Sequence, residues 1–161
     1  MNFKVVVNTT PIIALGKIEL LSVLRELYGN VTIPIAVVLE VAIKDDVAFH
    51  QLLENFDWIK IAECPEYEKN AFPKNLHAGE VEAIFLAQIT NADFLIIDDN
   101  NARKTAKNLG LNVIGTAGTL LRAKELGIIP AVKSVLDSIR ENNFYLSDRI
   151  LDTVLRQAGE N

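Results

Sequence analysis

The stretch "ADFLIIDDNNARKTAKNLGLNVIGTAG", residues 92–118, contains the alternation that decides the fold class. Phe94–Ile97 is a short apolar run of the kind found in buried strands, and Asn112–Ile114 is a second one. Between them, Ala102–Leu109 is predicted to form a helix, which Gly110 ends as the residue just beyond its last turn. Strands that alternate with helices in this way favour an α/β fold with a parallel sheet.

The same alternation runs through the rest of the chain. Further strands are predicted at Lys4–Val7, Val31–Ile33 and Trp58–Ile61. Further helices are predicted at Pro11–Ile18, Leu20–Tyr28, Ile35–Ile43, Val47–Phe56, Ala78–Ile89, Thr116–Leu126, Pro130–Asn142 and Ser147–Ala158. Glu63–Leu76 contains two prolines and mixed charge, which predicts a surface loop. We therefore expect one domain, residues 1–161, built on a sheet of about four or five short strands.

The composition excludes several classes of protein. Half of the 161 residues are hydrophobic and 23% are charged, as in globular proteins, and no apolar run is long enough to span a bilayer. Cys64 is the only cysteine, which excludes an internal disulfide and zinc sites built on cysteine pairs. The first residues lack the apolar core of a signal peptide, so we expect a cytoplasmic protein. With a net charge of −5, nucleic-acid binding would require a local basic surface.

Polar residues follow three of the predicted strands directly. Asn8 follows the first strand, Asp98 and Asp99 follow Phe94–Ile97, and Thr116 comes just after Ile114. In open parallel sheets, ligands bind beyond the carboxyl ends of the strands, so these side chains are candidates for a functional site. Asp98 and Asp99 have a plain structural alternative, because an acid at this position also caps the helix that follows.

Asn8 lies where the first strand gives way to the first helix. Thr10 and Pro11 are predicted to be the N-cap and the first residue of that helix. This start leaves Asn8 at the tip of the strand, facing the crevice.

Two helices add three more acids. Glu40 lies in the apolar sequence "PIAVVLEVAI", where a carboxylate is costly unless it is exposed, paired or bound to a metal. Glu80 and Glu82 lie in the first turn of "AGEVEAIFLAQI", where stabilisation by the helix dipole is an equally good explanation. Acids on three different elements nevertheless favour a divalent cation, Mg²⁺ or Mn²⁺, since carboxylates that gather repel one another and these ions prefer oxygen ligands. Such a site suits phosphodiester hydrolysis.

An ordered series of segments resembles the PIN-domain superfamily, and most of all its DUF3368 branch. The segments are "VVNTTPIIALGKIELL", "IPIAVVLEV", "LHAGEVEAIFLA", "FLIIDDNNARKTAKNLGL", "VIGTAGTLLRAKELGIIP" and "FYLSDRILDTVLRQAGE". The resemblance implies a three-layer α/β/α sandwich and a ribonuclease that depends on Mg²⁺ or Mn²⁺, often the toxin of a toxin–antitoxin pair. It further implies an RNA substrate, a small antitoxin protein as partner and a homodimer or higher homo-oligomer, with no membrane association.

The resemblance also implies which residues form the site. The family's acidic positions correspond to Asn8, Glu40, Glu80 and one of Asp98 and Asp99. Thr116 matches a polar position near the site, and Glu82 is a less suitable substitute for Glu80. The chain departs from the family at Asn8, where the superfamily has aspartate. An amide keeps a carbonyl oxygen that can bind a metal but loses the negative charge, so metal affinity should fall.

A basic helix follows the paired aspartates. Arg103, Lys104 and Lys107 lie on it, and Arg103 and Lys107 are four residues apart and so share a face. They are candidates for phosphate contacts, with an ordinary solvated helix face as the alternative. Weaker basic candidates are Arg122, Lys124 and Lys133. The apolar stripe of Leu151, Val154, Leu155 and Ala158 is predicted to pack in the core, with a docking groove as the alternative.

Three functional hypotheses remain at this point. The first is a metal-dependent ribonuclease, which the acids favour, and the second is a catalytically silent PIN-like module that binds RNA or protein, which Asn8 favours. The third is a receiver-type phosphoryl-transfer domain, which ranks last because "VIGTAG" lacks the lysine that such a domain needs after a later strand.

Overall fold

A computed structural model describes residues 3–160 of the chain, so the two ends of the predicted 1–161 unit lie outside the described residues. Its central sheet has the strand order β3-β2-β1-β4-β5, and every neighbouring pair is parallel. The strands are Val5–Val7 (β1), Val31–Pro34 (β2), Ile59–Ala62 (β3), Phe94–Ile96 (β4) and Val113–Ile114 (β5). The predicted α/β class and the number of strands are confirmed.

Helices connect the strands and cover both faces of the sheet. Within residues 3–160 they are Thr9–Lys17 (α1), Ser22–Tyr28 (α2), Ile35–Lys44 (α3), Asp46–Leu53 (α4), Ala78–Ile89 (α5), Asn100–Asn108 (α6), Thr116–Glu125 (α7), Lys133–Glu141 (α8) and Asp148–Ala158 (α9). The predicted loop before α5 contains only a short 3₁₀ turn, Lys69–Ala71. No helix in this part of the chain combines the length and the apolar character needed to cross a bilayer.

The side chains of β1 show how the sheet separates two cores. Val5 and Val7 point into the larger core, which includes buried residues of α1, α4, α7 and α8. Val6 points to the opposite face, where it packs with Ile84 of α5 and Ala106 of α6. Successive residues of a strand face opposite sides of a sheet, so a fully apolar strand must be covered on both faces. The three-layer α/β/α sandwich is therefore confirmed.

Helix α9 closes one side of the larger core. Leu151 and Val154 are buried there, and Leu155 and Ala158 pack against the same cluster. The predicted role of this apolar stripe in core packing is confirmed, and its four residues do not form an open groove.

The start of α1 corrects the prediction for Thr10 and Pro11. The helix begins at Thr9, with Asn8 in an extended conformation as its N-cap residue, so Pro11 occupies the third helical position. The physical reason is that the first-turn N–H groups of a helix have no intrahelical acceptor, so proline is tolerated throughout that turn. The Asn8 side chain does not cap the helix, whereas its backbone N–H donates to the carbonyl oxygen of Ile96 at 2.9 Å.

The strand order places the crevice of the sheet between β1 and β4. From β1 the chain proceeds outward through β2 and β3 on one side, and it then returns to form β4 and β5 on the other. Such a reversal point opens a crevice at the carboxyl ends of the strands. Asn8 and Asp98 follow the two central strands, so the topology brings these two residues to the crevice.

Candidate functional site

Three side-chain oxygens converge on the first turn of α5. A Cβ atom added to Gly79 would lie 3.6 Å from Glu40 Oε1, 3.7 Å from Thr9 Oγ1 and 3.9 Å from Asn8 Oδ1. Asn8 and Thr9 are consecutive residues at the junction of β1 and α1, whereas Glu40 comes from a separate element, α3. Because residue 79 has no side chain, the space between these oxygens stays open.

Two of these oxygens are buried without a hydrogen-bond partner. Asn8 is 4% exposed and Thr9 is 1% exposed, and neither Asn8 Oδ1 nor Thr9 Oγ1 has a partner among the described residues. Buried oxygens are almost always bonded in folded proteins, because an unsatisfied group costs about 1–3 kcal/mol. These two therefore mark a place where a bound cation or water molecule would be stabilised.

Glu80 contributes a third oxygen of this kind. Its Oε1 accepts a hydrogen bond from the His77 backbone N–H at 3.2 Å, which helps to cap α5. Its Oε2 is buried, and no donor among the described residues reaches it. Burial raises the pKa of Glu80, and the nearby carboxyl group of Asp99 raises it further, although the His77 bond opposes this. A cation bound beside these two carboxyl groups would offset their repulsion.

Asp98 has no such open position. Its Oδ1 accepts from the Thr116 backbone N–H at 2.7 Å, and its Oδ2 accepts from the Thr116 hydroxyl at 2.6 Å. Burial raises the pKa of Asp98, while the bonds from Thr116 and the charge of Arg103 partly oppose the rise. A Cβ atom at Gly115 would approach Asp98 Oδ1 to 2.9 Å, so this contact between β4 and the start of α7 requires glycine there.

Asp99 has a capping role and a second contact. Its Oδ2 accepts from the Ala102 backbone N–H at 2.9 Å, which makes it the N-cap of α6. The same carboxyl group lies beside Glu80. The two consecutive aspartates thus face different partners: Asp98 faces Thr116, and Asp99 faces α5.

Glu40 and Glu82 differ in their distance from the convergence point. Glu40 has one oxygen near Gly79, and its other oxygen lies 3.5 Å from Lys44 Nζ, one helical turn along α3. Burial raises the pKa values of Cys64 and Tyr67, and the charge of Glu82 raises them further, so the Glu82 carboxyl group lies beside the loop before α5. The structure places Glu80, and not Glu82, next to the other candidate residues.

The basic candidates are distributed more widely than the sequence suggests. Arg103 Nη1 donates to the Ile97 carbonyl oxygen at 3.1 Å, so this side chain folds back onto the end of β4. Lys104 and Lys107 are exposed on α6. Arg122 stacks over the Phe94 ring at 5.0 Å, and Lys124 Nζ lies 2.8 Å from Glu160 Oε2. Lys133 Nζ lies 3.0 Å from Asp137 Oδ2 on α8, so Lys104 and Lys107 are the sequence-named candidates that we retain for phosphate contacts.

Thr9 is the site residue that the sequence analysis missed. It follows Asn8 at the strand end, and its hydroxyl points into the convergence point because α1 begins two residues earlier than the Thr10 cap would require. Its position beside Asn8 is the only signal for it in the sequence, since a threonine at a helix start is usually read as a cap.

The donors fit a hard divalent cation, though they do not form a cage of acids. Within residues 3–160, no group of three or more His, Cys, Asp or Glu side chains is placed to hold a metal ion. The open donors are an amide oxygen, a hydroxyl and the carboxylates of Glu40 and Glu80, and all of them are oxygens. Mg²⁺ is commonly bound through one or two carboxylates, with water and substrate phosphate completing its shell. The residues present therefore fit an Mg²⁺-like ion of modest affinity.

The parallel α/β sandwich with oxygen donors at its strand-end crevice defines a class of α/β domain that binds its ligand beyond the carboxyl ends of the strands. The family profile described as "DUF3368: PIN domain" matches residues 4–160, nearly the whole chain. The chain belongs to this family of PIN domains, which generally use divalent metal ions.

One solved structure is similar to the chain at low identity. It is a PilT N-terminus domain protein from the hyperthermophilic archaeon Sulfolobus solfataricus P2, with 19% sequence identity and a TM-score of 0.47. The alignment covers 89% of this chain and 98% of that one. At this level of similarity no residue role is transferred. No curated protein matches the chain.

Proposed function

We propose that this protein is an endoribonuclease that hydrolyses RNA phosphodiester bonds with the help of Mg²⁺ or Mn²⁺. The observation that carries the proposal is the set of buried, unpartnered oxygens of Asn8, Thr9 and Glu80 at the strand-end crevice. A protein interior tolerates such oxygens where a ligand completes them. Oxygen donors of this kind match a divalent cation and its shell of water and phosphate.

The site residues have distinct roles in this proposal. When bound, a divalent cation would stabilise charge on the scissile phosphate and lower the pKa of a water molecule. Glu40, Glu80 and Asn8 would hold it through their side-chain oxygens, and Thr9 would orient a water molecule or add a further oxygen. Burial raises the pKa of Glu80, so its carboxyl group holds a proton more readily than a free glutamate does, and once ionised it is placed to act as a base at the crevice.

In this proposal Asp98 has a structural role that holds the site together, and Asp99 is the neighbour of Glu80. Both Asp98 oxygens already accept short hydrogen bonds from Thr116, which ties β4 to the start of α7. Asp99 uses one oxygen to cap α6 and keeps its carboxyl group beside α5. Lys104 and Lys107 would contact phosphates of the RNA next to the crevice, because they are exposed on the helix that Asp99 caps.

Asn8 supports a second candidate, a PIN-like module that binds RNA or protein without cutting it. An amide at this position lowers the negative charge available to a cation, and the described residues hold no group of three acids. The two candidates differ in one respect that can be measured, which is whether cleavage requires the remaining carboxylates.

The test is cleavage of a mixed RNA pool in the presence of Mn²⁺. We compare the unmodified chain with Asn8→Asp and Glu40→Gln, and we use Glu26→Gln as a matched control because Glu26 is an exposed acid on α2. The ribonuclease proposal predicts cleavage by the unmodified chain and by the control, a loss in Glu40→Gln, and a gain in Asn8→Asp from the added charge.

Two other outcomes have different meanings. Cleavage by Asn8→Asp alone would make the natural chain a disabled nuclease, as the second candidate requires. If none of the four proteins cuts RNA, the enzymatic proposal is wrong.

We also propose a cytoplasmic toxin role with a small antitoxin as partner, together with a homodimer or higher homo-oligomer. The support is membership of the PIN-domain family, and the RNA substrate requires access to cellular RNA. Induced expression of the chain should arrest bacterial growth, and coexpression of a small protein encoded by an adjacent gene should restore it. Growth unaffected by expression would contradict the toxin role, and a monomer in size-exclusion chromatography would contradict the oligomer.

A further inference from the structure

The loop before α5 forms a second concave site, beside the crevice. A cavity of about 320 Å³ lies between this loop and the first turn of α5. Its volume falls at the lower end of the range typical of small-ligand sites. Its apolar wall includes Tyr67, Phe72 and Leu76, and its polar side groups come from Lys69, Asn70 and Lys74. No acid lines it among the described residues.

Tyr67 is the accessible aromatic ring of this cavity. It is half-buried, and Phe72 and Phe85 hold it, with ring centroids 5.9 Å and 5.5 Å away. A ring fixed in this way loses little conformational entropy when a flat partner stacks on it. The two lysines are exposed, and Glu68, the acid nearest to Lys69 in sequence, accepts from the backbone N–H of Asn70 and so stabilises the 3₁₀ turn.

The cavity and the crevice lie on opposite sides of one helical turn. Ala78 and Val81 line the cavity, whereas Gly79 borders the oxygens of the crevice. In an α-helix each residue is rotated by about 100° from the one before it, so Gly79 and Glu80 face away from the side that Ala78 and Val81 share. The two sites are therefore separated by about the width of one helix, roughly 10 Å. A single RNA strand would have to pass over the first turn of α5 to reach both.

We propose that this cavity binds one nucleotide of a single-stranded RNA substrate, with its base stacked on Tyr67 and its phosphates beside Lys69 and Lys74. A partly accessible aromatic ring with flanking cations, as Tyr67 has in Lys69 and Lys74, matches the way proteins bind single strands without reading a fixed sequence. The inference rests on the proposed ribonuclease function, because it assigns the cavity to a nucleotide next to the one that is cut. It makes the protein selective for unpaired RNA, since a paired base cannot stack on a side chain.

The test measures binding and cleavage separately. Binding of a fluorescein-labelled single-stranded RNA hexamer is followed by anisotropy in EDTA, where metal-dependent cleavage does not occur. Tyr67→Leu should weaken binding about tenfold, since loss of one stacking contact costs about 1–3 kcal/mol. Tyr67→Phe keeps the aromatic ring and should bind like the unmodified chain. Tyr145→Leu removes a tyrosine that is 85% exposed and lies outside the cavity, and it serves as the matched control.

The lysines are tested by the salt dependence of the same binding. The double variant Lys69→Gln with Lys74→Gln should reduce the slope of log K against log [salt] by about 1.4, as expected for two phosphate contacts on a single strand. The double variant Lys133→Gln with Arg149→Gln removes two exposed cations elsewhere and should leave the slope unchanged. Because Lys69 and Lys74 are exposed, their replacement should not unfold the chain.

The outcomes separate this proposal from the proposed function. Suppose that RNA cleavage is lost in Glu40→Gln, while hexamer binding is unchanged by the Tyr67 and lysine replacements. This result would overturn the nucleotide site and leave the ribonuclease proposal standing. Binding that depends on Tyr67 without any cleavage would support the nucleotide site and contradict the enzyme. Duplex RNA that binds as tightly as the single strand would also overturn the proposal.

Discussion

Asp98 and Glu80 are carboxylates at the same end of the sheet, and they differ in how many of their oxygens are already bonded. Both Asp98 oxygens accept short hydrogen bonds from Thr116. Glu80 uses one oxygen to cap α5 and leaves the other buried and open. A carboxylate whose oxygens are taken stabilises the framework, whereas one with an open oxygen is available for chemistry. The comparison teaches that burial alone does not identify a ligand.

RNA cleavage is the property in which the two acids should differ most. Replacement Glu80→Gln should lower Mn²⁺-dependent cleavage by more than about 100-fold, since loss of a supporting partner of a metal site already costs about 10–100-fold. Asp98→Asn should lower it less, because that residue acts through the position of Thr116. The measurement is the initial cleavage rate at saturating Mn²⁺ and at equal folded fractions. Equal losses in both variants would make Asp98 a ligand as well.

For the free energy of unfolding we expect the opposite order, with the larger loss at Asp98 and not at Glu80. Asp98→Asn should lower the free energy of unfolding by about 2 kcal/mol, which is typical of hydrogen bonds to a charged group. The Thr116 backbone N–H and hydroxyl both donate to Asp98, and the NH₂ group of an asparagine would face one of these donors without accepting from it. Thr116→Val should also cost about 2 kcal/mol, since its hydroxyl bond is made to the same buried carboxylate. Urea unfolding at neutral pH measures both, with Asp152→Asn on the exposed side of α9 as the control. An unchanged midpoint for Asp98→Asn would refute its framework role.

Gly79 offers a test of the open oxygens that leaves every ligand in place. A Cβ atom there would lie 3.6–3.9 Å from three oxygens, which are ordinary contact distances, so Gly79→Ala should fold normally. Alanine in a helix is favoured over glycine by about 0.5–1 kcal/mol, so the variant should even be slightly more stable without metal. The new methyl group occupies the space where the oxygens converge, and the rise in Tm that Mn²⁺ gives the unmodified chain should disappear. A Tm rise that survives in Gly79→Ala would place the metal elsewhere.

The fold could be predicted well from the sequence, because the spacing of apolar residues along a strand or helix determines which of its faces is buried. The alternation of Val5, Val6 and Val7 between two cores follows from the pleat of a strand, and the helix lengths follow from apolar spacing. The chain also gave the positions of the strand-end residues. It did not show how their oxygens are used, because hydrogen bonds such as those from Thr116 to Asp98 join residues 18 positions apart. Arg103 was misjudged for the same reason, since its bond to the Ile97 carbonyl depends on side-chain direction.

The smallest expected effect is on the pH dependence of stability. The contributions of Glu80 and Glu160 to the free energy of unfolding should change with pH in opposite directions. Hydrogen bonds from Lys124 and from the backbone of Val132 and Lys133 lower the pKa of Glu160 to about 2. A lowered pKa stabilises the fold above the usual value of 4.5, and this contribution is lost as the pH falls toward 2. Burial and Asp99 raise the pKa of Glu80, so its contribution is present below 4.5 and is lost as the pH rises through the raised value.

The two replacements should therefore have opposite signs at neutral pH. Glu160→Gln should lower the free energy of unfolding, with a difference that shrinks as the solution is acidified. Glu80→Gln should raise it in the absence of metal, because it removes a buried charge beside Asp99 while keeping the oxygen that caps α5. Urea unfolding of both variants between pH 3 and pH 8, in EDTA, measures the two curves. A Glu80→Gln variant that is less stable at neutral pH would mean that the ionised carboxylate is already compensated within the fold, and the open oxygen would then no longer require a cation.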